Sequence, residues 1–210
     1  MSRPALGWVA GCAVTALAAA GAITYAVAQD SGGARERTPA AESADAGFAR
    51  DMAVHHQQAV EMSYIVRDRT KDEEVRRLAY DIAQTQANQR GMMLGWLDLW
   101  GLPKVSAEPP MTWMGMRGMA AGKDGALMPG MATDTELKRL ESLNGKQAEI
   151  LYLQLMTDHH KGGVHMAEGC VAKCTVGMEK RLAQGMVEAQ QSEIELMAGM
   201  LKERGAQPRS

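Results

Sequence analysis

The sequence predicts an all-α protein whose folded part is a four-helix bundle made of two duplicated helical hairpins. Three observations predict it. Apolar residues recur at spacings of three and four, the second half of the chain repeats the first, and Gly, Pro and N-cap residues divide the periodic stretches. One hairpin cannot bury its apolar face alone, so two hairpins are expected to pack together. A chain of 210 residues suffices for one such domain with extensions.

The N-terminal segment predicts an extracytoplasmic protein. Residues 5–28 carry no charge, and a helix of that length can cross the roughly 30 Å hydrocarbon layer. The Ala-Val-Ala stretch at 26–28 is typical of a signal-peptidase site. Residues 1–28 are therefore predicted to be a signal peptide or a transmembrane anchor, which leaves the protein secreted or anchored to the cell membrane. A flexible linker is predicted over 29–44 and the bundle over 45–204, whereas lipidation at Cys12 is disfavoured because the apolar run continues beyond it.

The first predicted helix begins at Asp45, where residues expected to face inward start to recur every three or four positions. That spacing is typical of a helix packed in a bundle. A second helix is predicted over residues 72–100, and Gly101 and Pro103 stop it. The predicted inner-face residues are Phe48, Met52, His55, Ala59, Met62 and Val66 in the first helix and Val75, Leu78, Ile82, Gln89 and Trp96 in the second.

Residues 101–132 are predicted to form a methionine-rich loop, because glycines and prolines interrupt any helical pattern. Thr133 or Asp134 is then expected to cap a third helix that runs to about Cys174, and a fourth helix is predicted over 177–203. The loop is expected either to collect soft metal ions or to cover an open end of the bundle. Its methionines are Met111, Met114, Met116, Met119, Met128 and Met131.

An internal repeat relates the two hairpins. A shift of 104 residues (156 minus 52) places one His-His pair on the other, with no gap over the aligned stretch. Each copy reads Met-x2-His-His-x5-Met, and at about 100° per residue these four side chains share one side of the helix. The equivalent pairs are Met52 and Met156, His55 and His159, His56 and His160, Met62 and Met166, and Met93 and Met197.

The repeated residues predict a soft-metal site, with copper as the first choice. Imidazole suits copper, zinc, iron and nickel, whereas a thioether selects soft ions such as Cu(I) and Ag(I). Ordinary packing with a buried histidine network is the alternative, and the recurrence of both residue types favours ligation. For Met93 and Met197, beside Gln86, Gln89, Gln190 and Glu193, packing stays an equal alternative. The predicted ligands are Met52, His55, His56, Met62, Met156, His159, His160, Met166, Met93 and Met197.

Three residues outside the repeated motif also have side chains that can bind metal. His165 lies on the opposite side of its helix from Met156 and is expected to face outward. Cys170 and Cys174 are expected to form a disulfide in an oxidising compartment, provided that the helix ends or loosens there. A soft-metal thiolate pair is the alternative for these two cysteines.

Four segments resemble the domain-of-unknown-function family 305. They are FARDMAVHHQQAVEMS (48–63), MPGMATDTELKRL (128–140), LQLMTDHHKGGVHMAE (153–168) and QQSEIELMAGML (190–201), and the resemblance extends over residues 45–204. It implies a ferritin-like four-helix bundle in a secreted or membrane-anchored bacterial protein. It also implies copper or silver binding in the cell envelope, as in some members of the family. Gly162 and Gly163 replace Gln58 and Ala59 of the first copy and are expected to loosen the third helix.

A metal-binding protein for sequestration or homeostasis is favoured over an enzyme. No Glu is followed by His three residues later, so the ligand pattern of a di-iron oxidase is absent from the sequence. A copper-dependent oxidase and a metal-free envelope interaction module stay open as alternatives, as does a homo-oligomer. A net charge of −2 gives no reason to expect nucleic acid as a partner. The expected partners are a metal ion and, if the N-terminal segment is uncleaved, the membrane.

Overall fold

The computed structural model describes residues 38–116 and 124–209. In these residues the regular structure is helical and contains no strand, which confirms the all-α prediction. The predicted signal or anchor segment, most of the linker and Met119 lie outside the described residues. The helices are α1 Ala44–Arg69, α2 Glu73–Leu99, α3 Asp134–Ser142, α4 Gly145–Lys173 and α5 Gly177–Glu203, with a 3-10 turn at Thr112–Met114.

Side-chain caps fix the starts of two helices. The Asp72 carboxylate accepts hydrogen bonds from the backbone N–H groups of Glu74 and Val75, at 3.1 and 3.0 Å, and so begins α2. Thr133 and Glu136 form a reciprocal capping box at the start of α3. The predicted cap at Thr133 is therefore confirmed, as are the predicted bounds of α5.

The prediction of one continuous third helix was wrong. The chain breaks after Ser142, where Leu143 and Asn144 are extended and Gly145 has a φ of +54°. That φ favours glycine, which permits the sharp change of direction between α3 and α4. The short α3 packs against α1 and α4, and α4 alone carries the second His-His pair.

The four long helices pack as two hairpins, α1 with α2 and α4 with α5, joined through α1 against α4. Helices α1 and α4 run antiparallel, because His55 contacts His159 whereas Ser63, further along α1, bonds to Tyr152, which is earlier in α4. All six predicted inner-face residues of α1 are buried, and so are those of α2 except the half-buried Gln89.

The apolar core forms two clusters, one towards each end of the α1–α4 contact. One contains Val66, Ile82, Leu140 and Tyr152 and the other contains Phe48, Leu97 and Cys170. The histidines of both pairs are also fully buried but belong to neither apolar cluster. Within 38–116 and 124–209, no helix combines the length and hydropathy needed to cross a bilayer.

Candidate metal centre

The two His-His pairs meet in the buried contact between α1 and α4. The imidazole rings of His55 and His159 lie face to face with centroids 3.7 Å apart and planes tilted by 30°. The ring of His160 lies 6.3 Å from that of His159. All four paired histidines are 0% exposed. The inward direction predicted from the repeat is therefore confirmed.

Three of the histidines use Nε2 to donate a hydrogen bond. His159 donates to the backbone carbonyl of His55 at 2.9 Å, and His160 donates to the Glu193 carboxylate at 2.6 Å. His56 donates to Oε1 of Gln89 at 2.8 Å. A neutral imidazole that donates through Nε2 has its lone pair on Nδ1. These bonds thus fix the rings in the manner typical of metal-binding histidines, which donate their second ring nitrogen to a carboxylate or carbonyl.

The Nδ1 atoms opposite these bonds have no hydrogen-bond partner among the described residues. This holds for His56, His159 and His160, and for both ring nitrogens of His55. A buried polar atom without a partner is uncommon in a native interior and costs about 1–3 kcal/mol. A bound metal ion would use these lone pairs directly, so the atoms fit a ligand role.

Burial lowers the pKa of His55, His56 and His159 and so keeps these three rings uncharged. Desolvation, and next the neighbouring His56, lower the pKa of His55 to about 3, against a smaller opposing effect of the Pro129 carbonyl. Desolvation also lowers the pKa of His56 to about 4, against the opposing effect of the hydrogen bond that His56 donates to Gln89. The pKa of His159 is lowered well below 6.5, first by desolvation and then by His55. Neutral imidazole is the form that binds metal, so these rings are ready to do so at any physiological pH.

The six predicted methionine ligands form two triads, each drawn from both repeats. One apolar cluster contains Met52, Met93 and Met166, and the other contains Met62, Met156 and Met197. All six are 0% exposed. The antiparallel packing of α1 and α4 brings the first Met of one motif to the same end as the last Met of the other. The two methionines of one sequence motif therefore lie in different apolar clusters.

The four imidazoles do not converge on one point. No three of them bring ligand nitrogens within 4.8 Å of one another in the described part of the chain. The side chain that accepts the hydrogen bond of the second histidine also differs between the halves. It is the amide of Gln89 for His56 and the carboxylate of Glu193 for His160, at equivalent positions 104 residues apart. This geometry does not favour a single site formed by the four histidines alone.

Hydrogen bonds with two side chains of α1 hold the methionine-rich loop against the bundle. The backbone N–H of Met111 and the indole N–H of Trp113 donate to the Asp51 carboxylate at 2.7 and 2.9 Å. The Gln58 amide exchanges two hydrogen bonds, at 2.9 and 2.7 Å, with the backbone of Ala132. Met111 and Met128, which belong to the loop, are themselves buried. In the described residues the loop thus covers the bundle.

Gly162 and Gly163 permit close packing and do not loosen α4. The helix is continuous from Gly145 to Lys173. A Cβ at Gly162 would overlap the backbone carbonyl oxygen of Pro129, and one at Gly163 would overlap the side chain of Gln190. The expectation of a loosened helix was wrong, because these glycines serve the approach of the loop and of α5.

Sequence reasoning missed Asp51 and Gln58 as the groups that hold the loop. Gln58 is 7% exposed and Asp51 lies beside the motif, so the available signal was a polar residue on an otherwise buried helix face.

His165 is exposed, as predicted. Cys170 and Cys174 form the expected disulfide, and α4 ends at Lys173 between them.

The fold and this buried cluster define an all-helical protein with a candidate His/Met metal centre. The chain belongs to the family described as Domain of unknown function (DUF305), which matches residues 45–201. This agrees with the family identified from the motifs. No curated protein sequence matches the chain.

Two solved DUF305 structures and the solved structure of CopM have the same fold. An inferred secreted DUF305 protein from Streptomyces coelicolor is 75% identical, with a TM-score of 0.76, over 81% of this chain and 99% of that one. A DUF305 fragment from Deinococcus radiodurans is 30% identical, with a TM-score of 0.62, over 76% and 96%. CopM in its Cu(II)-bound form is 24% identical, with a TM-score of 0.59, over 74% and 94%.

Proposed function

We propose that the chain binds Cu(I), and Ag(I) as its chemical analogue, for sequestration or homeostasis outside the cytoplasm. The ligands are His55, His56, His159 and His160 together with the two methionine triads. The observation that carries the proposal is the set of buried imidazoles whose Nδ1 atoms have no hydrogen-bond partner among the described residues. Their second nitrogens already donate to carbonyl or carboxylate oxygens, as in metal sites.

The donor types favour Cu(I) over Zn(II). Six buried thioethers are soft, neutral ligands, and Zn(II) has little affinity for them. A monovalent ion also costs less to bury among neutral ligands than a divalent one. CopM, which shares the fold, is a protein with Cu(I)-, Cu(II)- and Ag-bound structures. That likeness supports this choice of ion.

The bundle is proposed to be a ferritin-like one that arose by duplication of a hairpin. The contact between the equivalent residues His55 and His159 supports a pseudo-twofold relation between the hairpins, as does the division of the methionines between the two apolar clusters. An extracytoplasmic location is proposed from the apolar segment at residues 5–28 and from the inferred secretion of the Streptomyces coelicolor relative. Residues 1–28 as signal or anchor and 29–44 as linker complete the proposed organisation.

The test is a Cu(I) competition titration on residues 30–210. The 75% identical relative, solved over the matching 81% of the chain, justifies working with this domain alone. The wild type is compared with the variant in which His55, His56, His159 and His160 are all replaced by Ala. We expect the variant to stay helical by circular dichroism and to lose at least about 100-fold in Cu(I) affinity, since each lost ligand set removes several kcal/mol.

The matched control is His165→Ala, which removes an exposed histidine from the same helix as His159. It is expected to leave the Cu(I) affinity unchanged. Equal Cu(I) binding by the wild type and the quadruple variant would overturn the proposal, as would tighter binding of Zn(II) than of Cu(I). Oxygen uptake during Cu(I) titration would reassign the site to a copper-dependent oxidase.

A further inference from the structure

A second cluster of ligand atoms lies at the C-terminal end of α4, apart from the His/Met centre. Cys170 and Cys174 form a disulfide and are 0% and 4% exposed. Glu179, in the first turn of α5, is 0% exposed. The two sulfurs and a Glu179 carboxylate oxygen all lie within 4.8 Å of one another, the one such group of His, Cys, Asp or Glu ligands in the described chain.

The Glu179 carboxyl has no hydrogen-bond donor among the described residues. It faces the carboxylate of Asp45, which is 1% exposed and already accepts bonds from the Thr175 and Val176 N–H groups at 2.8 and 2.7 Å. Desolvation, and next Asp45, raise the pKa of Glu179 to about 9. The Glu179 carboxyl thus places a buried oxygen ligand atom beside the two sulfurs, with Asp45 as its polar neighbour.

The donor set fits a borderline divalent ion. Two thiolates and one carboxylate are ligands that Zn(II) accepts, and three protein ligands leave the fourth tetrahedral position open. Zn–S bonds of about 2.3 Å place tetrahedral ligand atoms roughly 3.8 Å apart. In the disulfide form the three ligand atoms already lie within 4.8 Å of one another, which is close to that separation.

We propose that reduction of the Cys170–Cys174 disulfide opens a site for a divalent ion of the Zn(II) class, held by both thiolates and the Glu179 carboxylate. An external dithiol supplies two electrons and two protons and becomes a disulfide, while the S–S bond of the protein is converted to two thiols. Metal binding then releases both thiol protons and the Glu179 proton. The disulfide form has no thiolates and is the closed state, which an oxidising compartment favours.

The experiment uses Co(II) as a spectroscopic probe on residues 30–210, reduced with dithiothreitol that is then removed under anaerobic conditions. Thiolate-to-cobalt charge transfer reports cysteine ligands, which the His/Met centre lacks. We expect the reduced protein to bind one Co(II) with this absorption and to exchange it for Zn(II). The oxidised protein is expected to lack the charge-transfer band.

Two variants identify the ligands. A Cys170→Ser/Cys174→Ser protein is expected to lose the charge-transfer band. Glu179→Gln is expected to weaken Co(II) binding by at least about tenfold, since loss of even an outer partner of a metal ligand costs that much. Absence of the band in the reduced wild type at saturating Co(II) would overturn the site. An unchanged affinity in Glu179→Gln would overturn its third ligand. Neither result bears on Cu(I) binding by the histidines, because the disulfide form is used to test that proposal.

Discussion

The imidazole rings of the paired histidines carry the chemistry of the proposed centre. Each of His56, His159 and His160 presents a fixed Nε2–H donor and a free Nδ1. Such preorganisation removes the cost of orienting the ring when a metal arrives. The burial that shields His55, His56 and His159 from water also lowers their pKa values, so ligand geometry and protonation state have one physical cause in these rings.

A pH dependence of stability follows from these rings. The pKa values of His55 and His56, about 3 and 4 when folded, lie below the ordinary 6.5. The unfolded chain therefore binds protons first as the pH falls, so the stability present above pH 6.5 is lost progressively towards pH 4 and then 3. Urea midpoints of the metal-free domain at pH 7.5 and 4.5 are expected to differ more in the wild type than in the quadruple Ala variant. An equal difference in both proteins would contradict this assignment.

The Glu193 carboxylate orients His160 and distinguishes the two halves of the centre. Glu193→Ala is expected to lower Cu(I) affinity by about 10- to 100-fold, because loss of the partner of a metal-binding histidine releases the ring. Glu195→Ala, an exposed neighbour on the same helix, is the matched control and is expected to have no effect. Competition titration measures both, and equal affinity in the two variants would remove Glu193 from the site.

Helix α4 and the loop over it form the element that closes the centre. Gly130, at a φ of +81°, and Pro129 lie against Gly162 of α4, where the absence of a Cβ permits contact between the two backbones. Because Gln58 holds the adjacent Ala132, the loop and the helix face are positioned together. The Pro129 carbonyl thereby approaches the ring of His55.

Gly162→Ala tests this contact. The new Cβ would overlap a backbone oxygen that cannot rotate away, so we expect a loss of about 1–3 kcal/mol in the free energy of unfolding. Gly185→Ala is the matched control, because that helical glycine has open space around it and substitution there is expected to stabilise by about 0.5–1 kcal/mol. Urea denaturation measures both changes. Stabilisation by both substitutions would show that the loop does not pack against Gly162.

The helices themselves were largely predictable, because their periodicity and caps are local. The inner face of α1 and the start of α3 at Thr133 followed from residues within one or two turns. The break at residues 143–145 could not be predicted in this way, since Gly145 at a positive φ matters only when α3 must fold back across α1 and α4. The roles of Gly162 and Gly163 also depend on distant segments, and the sequence offered only their lack of a side chain.

At the scale of the molecule, the antiparallel contact of α1 with α4 decides which methionines share an end. The sequence repeat identified the six methionines, but it grouped Met52 with Met62 and Met156 with Met166. The structure instead groups Met52 with Met166 and Met62 with Met156. A motif on one helix shows which side a residue faces, whereas the partner helix determines its neighbours in space.

Replacement of one triad at a time tests whether the two ends act separately. The first variant changes Met52, Met93 and Met166 to Leu, and the second changes Met62, Met156 and Met197 to Leu. Leu conserves volume and apolar burial, so each variant is expected to fold with little loss of stability. We expect each to lower the Cu(I) stoichiometry or affinity, and the combined variant to lose most binding, as measured by competition titration. Full binding by the combined variant would restrict the methionines to packing.

The central claim is that buried imidazoles and thioethers bind copper together. X-ray absorption at the copper edge of the Cu(I)-loaded, disulfide-containing domain tests it most directly, because nitrogen and sulfur neighbours are resolved at different distances. The account predicts both imidazole nitrogen and sulfur around Cu(I), with the nitrogen contribution lost when the four paired histidines are replaced by Ala. A copper environment without histidine nitrogen in the wild type, or an unchanged spectrum in the variant, would contradict it.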